Sequence, residues 1–259
     1  MRSTDKASMS PGHTRLDGTS QPPKGMLVYA VGDIHGQSHL LDALLARIAD
    51  DAAGSAGAQR RMIVFIGDYV DRGPDSAGVI ARLCAGLPGG FQICCLKGNH
   101  EAALLEFLEQ PGTYADWYKN GGDATLSSYG VDAPRTYAPS GVLAACRDAF
   151  AAALPAAHLA FLNTLSLSCS LGGYLFVHAG IRPGVALADQ DPEDLMWIRD
   201  GFLDCQDDFG MVVVHGHTPA LEPDVRPNRI GIDTGAWIHG RLTALRLFEA
   251  GQSFLSVEE

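Results

Sequence analysis

Residues 26–36 read MLVYAVGDIHG, residues 61–73 read RMIVFIGDYVDRG, and residues 91–101 read FQICCLKGNHE. Each stretch is an apolar run that breaks off in a polar cluster containing glycine, the pattern of a buried strand feeding a loop. Between them, about Ser38–Ala49 and about Asp75–Ala85 carry apolar residues at helical spacing. Strand, loop and helix in alternation predict an α/β fold with largely buried strands. In open α/β sheets, ligands bind in the crevice beyond the carboxyl ends of the strands, so the three polar clusters are expected to converge.

Outward from this core, Glu101–Glu109 reads as a helix halted at Pro111-Gly112, and residues 113–164 read as an Ala-rich helical insertion. Short strand candidates follow at LSLSCSL (165–171), YLFVHAG (174–180), MVVVHGH (211–217), RIGID (229–233) and LTALRLF (242–248). Gly and Pro turns join them, suggesting a second sheet. Residues 1–25, rich in Ser, Thr, Pro and Gly with no hydrophobic period, read as a flexible tail, and residues 26–259 as one domain.

The 259-residue chain is 46% apolar and 19% charged, an ordinary globular composition. Its formal net charge of −11 argues against nucleic acid as the main partner, because binding a phosphate backbone relies on an excess of Lys and Arg. No apolar run reaches the length of a membrane helix and no secretory signal is visible, so a cytoplasmic location without membrane association is expected. The six cysteines, Cys84, Cys94, Cys95, Cys146, Cys169 and Cys205, form no C-x-x-C pair and are expected to be reduced thiols. Neighbouring Cys94 and Cys95 should point to opposite faces of a strand.

The polar clusters carry the chemistry. In an extended backbone Asp33 and His35 share one side, and Asp68, Asp71 and Arg72 come together if the chain turns helically. Five of the nine histidines (His35, His100, His178, His215 and His217) end apolar runs, beside Asp33, Asp68 and Asn99. Packing alone does not account for such a set. Mixed O and N donors without thiolate suit Mn²⁺, Fe or Zn²⁺. His215 and His217 are two apart and can face the same way, so geometry does not choose between them.

The markers GDIHG (32–36), GDYVDRG (67–73), GNHE (98–101), VHAG (177–180) and HGHT (215–218), extended by DTGA (233–236), resemble those of the phosphoprotein phosphatases within the calcineurin-like metallophosphoesterases. The resemblance implies a four-layer α/β/β/α sandwich of two mixed sheets with a helical cap, in the compact bacterial and phage form. It implies that Asp33 and His35 hold one divalent ion, that Asn99, His178 and His217 hold another, and that Asp68 bridges them. Two such ions hold a hydroxide that attacks phosphorus directly. Arg72 and Arg199, with Asn99, look like the binders of the substrate phosphate, and His100, oriented by Asp71, looks like the general acid.

The implied activity is hydrolysis of phosphoserine and phosphothreonine in proteins, most simply with Mn²⁺. One alternative is symmetrical bis(5'-nucleosyl)-tetraphosphatase activity. Relatives of that kind tend to carry Asp after GNH and to lack the acid before the second-motif arginine, so Glu101 and Asp71 favour the protein phosphatase. A scaffold that binds without chemistry is the other alternative, and its signature would be lost ligands. His215 stands where eukaryotic members place an arginine, and reads as a supporting, substrate-facing or structural residue. Trp237, His239 and Asp233 read as packing or turn residues, and the Trp117–Gly122 stretch as cap anchors or cleft wall. The sequence leaves the oligomeric state open.

Overall fold

The computed structural model describes residues 20–259 apart from Ala56 and Pro88. Most of the expected tail, residues 1–19, lies outside the described residues. Residues 20–25 lead into the first strand, with the Gln21 carbonyl accepting from the Gly173 N–H.

The described elements follow in the order β1 (Met26–Val31), α1 (Ser38–Gly54), β2 (Arg60–Phe65), α2 (Ser76–Cys84), β3 (Gln92–Cys95), α3 (Asn99–Glu109), α4 (Tyr114–Lys119), α5 (Gly122–Ser128), α6 (Ser140–Ala153) and α7 (Ala156–Asn163). Then come β4 (Ser168–Leu171), β5 (Tyr174–Val177), α8 (Pro192–Trp197), β6 (Val212–His215), β7 (Asp224–Val225), β8 (Arg229–Gly231), α9 (Ala236–His239), β9 (Arg241–Phe248) and β10 (Gly251–Glu258). They build two five-stranded mixed sheets, in the orders β10-β9-β1-β2-β3 and β4-β5-β6-β8-β7. The expected α/β/β/α sandwich is thus the observed architecture. No single described helix is long and apolar enough to cross a membrane.

The two-residue period of the strands sorts their side chains between layers. On β1, Leu27, Tyr29 and Val31 face the helices, while Met26, Val28 and Ala30 face the second sheet. On β5 and β6, Phe176, Val212 and Val214 join that inter-sheet core, while Leu175, Val177 and Val213 pack outward beneath α8 and Phe202. Cys95 packs on the helical side and Cys94 between the sheets, as neighbouring strand residues should. Phe176 is fully buried between the sheets. Phe176→Ala should therefore lower stability by about 3–5 kcal/mol, read as a lower urea midpoint at unchanged m-value.

Three sequence expectations are corrected. The LTALRLF run does not join the second sheet: β9 pairs antiparallel with β1 in the first, and β10, absent from the expected strands, pairs with β9 at that sheet's edge. The first helix runs on to Gly54, its inner face kept apolar by Leu44, Leu45, Ile48 and Ala52. The third begins at Asn99, so the GNHE cluster is itself a helix start.

Candidate metal and phosphate site

Strands β1, β2, β3, β5 and β6 all deliver their polar clusters to one end of the two sheets. The backbone there meets neither condition, an extended Asp33–His35 or a helical Asp68–Arg72. His35, Asp68, Asp71, Arg72 and His217 all have positive φ, between 46° and 71°. Left-handed conformations cost non-glycine residues energy and persist where surrounding contacts enforce them. Glu101 supplies much of that enforcement. Its buried carboxylate accepts from the N–H groups of Asp68 (2.9 Å), Tyr69 (2.7 Å) and Gly98 (3.0 Å). Burial, with the nearby Asp68 charge, pushes the Glu101 carboxyl up to about 7. Gly98 is required for another reason: a Cβ there would lie 2.1 Å from Asp68 Oδ1.

Asp68 lies at the centre. Its Oδ2 is 3.5 Å from His35 Nε2, 3.4 Å from His178 Nε2 and 3.8 Å from His100 Nε2. Asn99 Oδ1 lies 2.9 Å from both His178 Nε2 and His217 Nδ1. Asp33 Oδ2 accepts from the His217 N–H at 3.0 Å, while its buried Oδ1 has no hydrogen-bond partner among the described residues. Two groups able to hold a cation therefore adjoin through Asp68, one of His35, Asp68 and His100, the other of Asp68, His178 and His217.

The donor set fits cations. His35 Nδ1 and His178 Nδ1 each lie 2.9 Å from a backbone carbonyl, of Val70 and Ile66, so each nitrogen carries the proton and donates it. In the neutral rings both Nε2 lone pairs then point at the Asp68 carboxylate, which can only accept. Acceptors facing acceptors in a buried site call for a positive charge between them. Burial, with the His100 charge, pushes His35 down to about 3, and burial with the His178 charge pushes His217 down to about 2. Burial opposes the charged form of His178 too, but Asp68 outweighs it and carries that ring up to about 10.

His100 differs from the other histidines. Its Nδ1 lies 2.7 Å from Asp71 Oδ2, and that fully buried carboxylate also accepts from Trp117 Nε1 (3.0 Å) and Thr125 Oγ1 (2.6 Å). Burial works against the imidazolium, but Asp68 and Asp71 outweigh it and raise the His100 pKa. In the imidazolium form the ring, held through Nδ1 by Asp71, has a proton to give from Nε2. The helical turn at the start of α3 separates the side chains of Asn99 and His100.

Arg72 Nη1 stands 3.4 Å from His35 Nε2, and Arg199 Nη2 donates to the His217 carbonyl at 3.0 Å, so the two guanidinia flank opposite clusters. His215 is not among them. It follows Val213 by two residues on β6, so its ring points outward onto Phe202, with centroids 5.1 Å apart. There it borders a cavity of about 680 Å³ that also touches Arg229, Thr218 and Asp233. Asp233 makes the expected turn bond, accepting from the Gly235 N–H at 2.9 Å, and its charge also raises the Asp33 pKa, after burial itself. The support that Trp117 and Thr125 give Asp71 was not read from the sequence. They lie 46 and 54 residues downstream of it, and no local pattern couples them.

This fold, with adjoining Asp, His and Asn clusters at the strand ends and arginines at their rim, defines a metal-dependent phosphoesterase. The family model for calcineurin-like phosphoesterases matches residues 26–249, and the chain belongs to that family. Within it the motifs correspond to the phosphoprotein phosphatase group, and the relatives include serine/threonine-protein phosphatases as well as bis(5'-nucleosyl)-tetraphosphatases. The chain is 27% identical over 244 residues to an asymmetrical bis(5'-nucleosyl)-tetraphosphatase PrpE of Oceanobacillus iheyensis, covering 90% of this chain and 92% of the relative. It is 28% identical over 229 residues to serine/threonine-protein phosphatase 1 of Salmonella typhimurium, covering 85% and 91%. Among solved structures, a protein serine/threonine phosphatase of Saccharomyces cerevisiae shares the fold at TM-score 0.55 and 15% identity, covering 92% of this chain and 84% of the other.

Proposed function

We propose that the chain is a phosphoprotein phosphatase that hydrolyses phosphoserine and phosphothreonine monoesters. The observation that carries this reading is the buried His100–Asp71 pair. A serine or threonine alkoxide is a poor leaving group and needs a proton as its bond to phosphorus breaks. A nucleoside polyphosphate departs as a phosphate anion, stable near neutral pH, and needs none. A proton donor held by a buried carboxylate, itself held by an indole and a hydroxyl, is therefore suited to alkyl monoesters.

Asp33, His35 and Asp68 would hold one divalent cation, and Asp68, Asn99, His178 and His217 a second. The hard O and N donors suit manganese, and also iron or zinc. When bound, such a pair polarises phosphoryl oxygens and acidifies water. The chain's own residues do the rest. Arg72 and Arg199 present guanidinium forks to the phosphate oxygens, with the Asn99 amide beside them. His100 donates the proton on Nε2 to the departing oxygen, and Asp71 holds the ring and stabilises its charged form.

A second reading, cleavage of bis(5'-nucleosyl) tetraphosphates, is favoured by the cavity of about 680 Å³ beside the site, a size that holds a nucleoside. The two are separated by assaying phosphate release from a phosphothreonine peptide and breakdown of diadenosine tetraphosphate with one manganese-loaded preparation. The protein phosphatase reading expects kcat/KM for the peptide to exceed that for the nucleotide. Preferential nucleotide cleavage would transfer the assignment to the tetraphosphatase, and silence on both with metal bound would leave a scaffold.

A further inference from the structure

We propose that Trp237 is a positioning residue for Arg72, holding its guanidinium ready for phosphate; the inference rests on the reading of Arg72 as a phosphate binder. The Arg72 guanidinium carbon lies 4.6 Å from the Trp237 ring centroid. Arg72 has no carboxylate within ion-pair distance among the described residues, although long arginine side chains lose much rotamer freedom when fixed. Its backbone is fixed, since the Arg72 N–H donates to the Gly121 carbonyl at 3.1 Å. Its head meets the indole and, through Nη1 at 3.4 Å, His35 Nε2, and the indole is the larger of the two surfaces that hold it.

Stacking has a consequence that an ion pair lacks. The guanidinium carbon lies over the indole ring, which takes up none of the N–H groups by an ion pair and leaves the charge uncancelled for phosphate oxygens. A carboxylate in the same place would occupy two donors and neutralise the charge. The turn preceding Trp237 is built to present it. Gly235 has φ +72°, and a Cβ there would meet His239 Cδ2 at 2.5 Å. Trp237 is left 41% exposed, beside His35 at 6.4 Å between centroids. A half-exposed indole next to a site is poorly explained by core packing.

The test uses manganese-loaded protein and two readouts, inorganic phosphate binding by calorimetry and KM for p-nitrophenyl phosphate. Trp237→Leu should weaken both about 2- to 30-fold, the span of a cation–π contact. Trp237→Phe, which keeps a π face, should recover most of the loss. In an Arg72→Ala background, Trp237→Leu should change neither. Equal losses with and without Arg72, or unchanged phosphate binding in Trp237→Leu, would overturn the proposal. Because phosphate binding is measured directly, failure of the enzyme to dephosphorylate peptides would strike the functional reading and leave this test standing.

Discussion

Asp68→Asn is expected to reduce kcat by about 10³-fold or more and to strip bound divalent cation from both halves of the site. The Asp68 carboxylate lies within 3.5 Å of a histidine from each cluster, His35 and His178. Asn is a stringent replacement because so little else changes. It tolerates the left-handed backbone at this position, where φ is +52°. Its amide oxygen can still accept from the His100 N–H, which Asp68 Oδ1 does at 3.2 Å. What goes is the charge. Metal analysis of the purified variant beside its circular dichroism checks the outcome: a folded protein with two cations retained and near-normal turnover would remove Asp68 from the centre of the account.

His100→Asn should lower kcat on a phosphothreonine peptide by about 10²- to 10⁴-fold, the usual worth of a general acid. Its metal content should stay at the wild-type level, because Asp71 and not a cation holds its Nδ1. Loss of a cation instead would make His100 a ligand of the first cluster, to which it is close enough to belong. The direction of the pH effect follows from the same contacts. Asp68 and Asp71 raise the His100 pKa against the opposing effect of burial, so the donor form persists to higher pH and activity falls as pH rises through that value. Asp71→Asn removes the carboxylate that favours the imidazolium and should move this alkaline limb to lower pH.

The fold and most of the site were legible because both depend on short-range patterns. Apolar runs ending in GDIHG, GDYVDRG and GNHE mark parallel strands and place their chemistry at one end. What was not legible depends on distant contacts. The LTALRLF run has the same composition whichever sheet it joins, and only the pairing of Ala30 with Leu245 across the first sheet decides it. The positive φ values of His35 and Asp71 could not be read from residue types, because those backbones are held from elsewhere in the chain: the His35 N–H donates to the Asp68 carbonyl and the Asp71 N–H to Thr125 Oγ1, each at 2.9 Å. His217, not His215, faces Asn99: strand periodicity sends His215 outward, and the left-handed turn at His217, where φ is +63°, brings its ring back. Trp117 was read as a cap anchor or cleft wall. It is packed in the helical core and also donates to Asp71, so the insertion takes part in holding the carboxylate that contacts His100.

If His100 protonates the departing oxygen, the rate should respond to the basicity of that oxygen in a way that depends on His100. A series of alkyl and aryl phosphate monoesters, from a phosphothreonine peptide to p-nitrophenyl phosphate, would be compared in the wild-type protein and in His100→Asn, both loaded with manganese. The account predicts a shallow dependence in the wild type and a steep one in the variant, with the deficit of the variant largest on the peptide and nearly gone on p-nitrophenyl phosphate. Parallel lines, with His100→Asn equally slow on every leaving group, would contradict it.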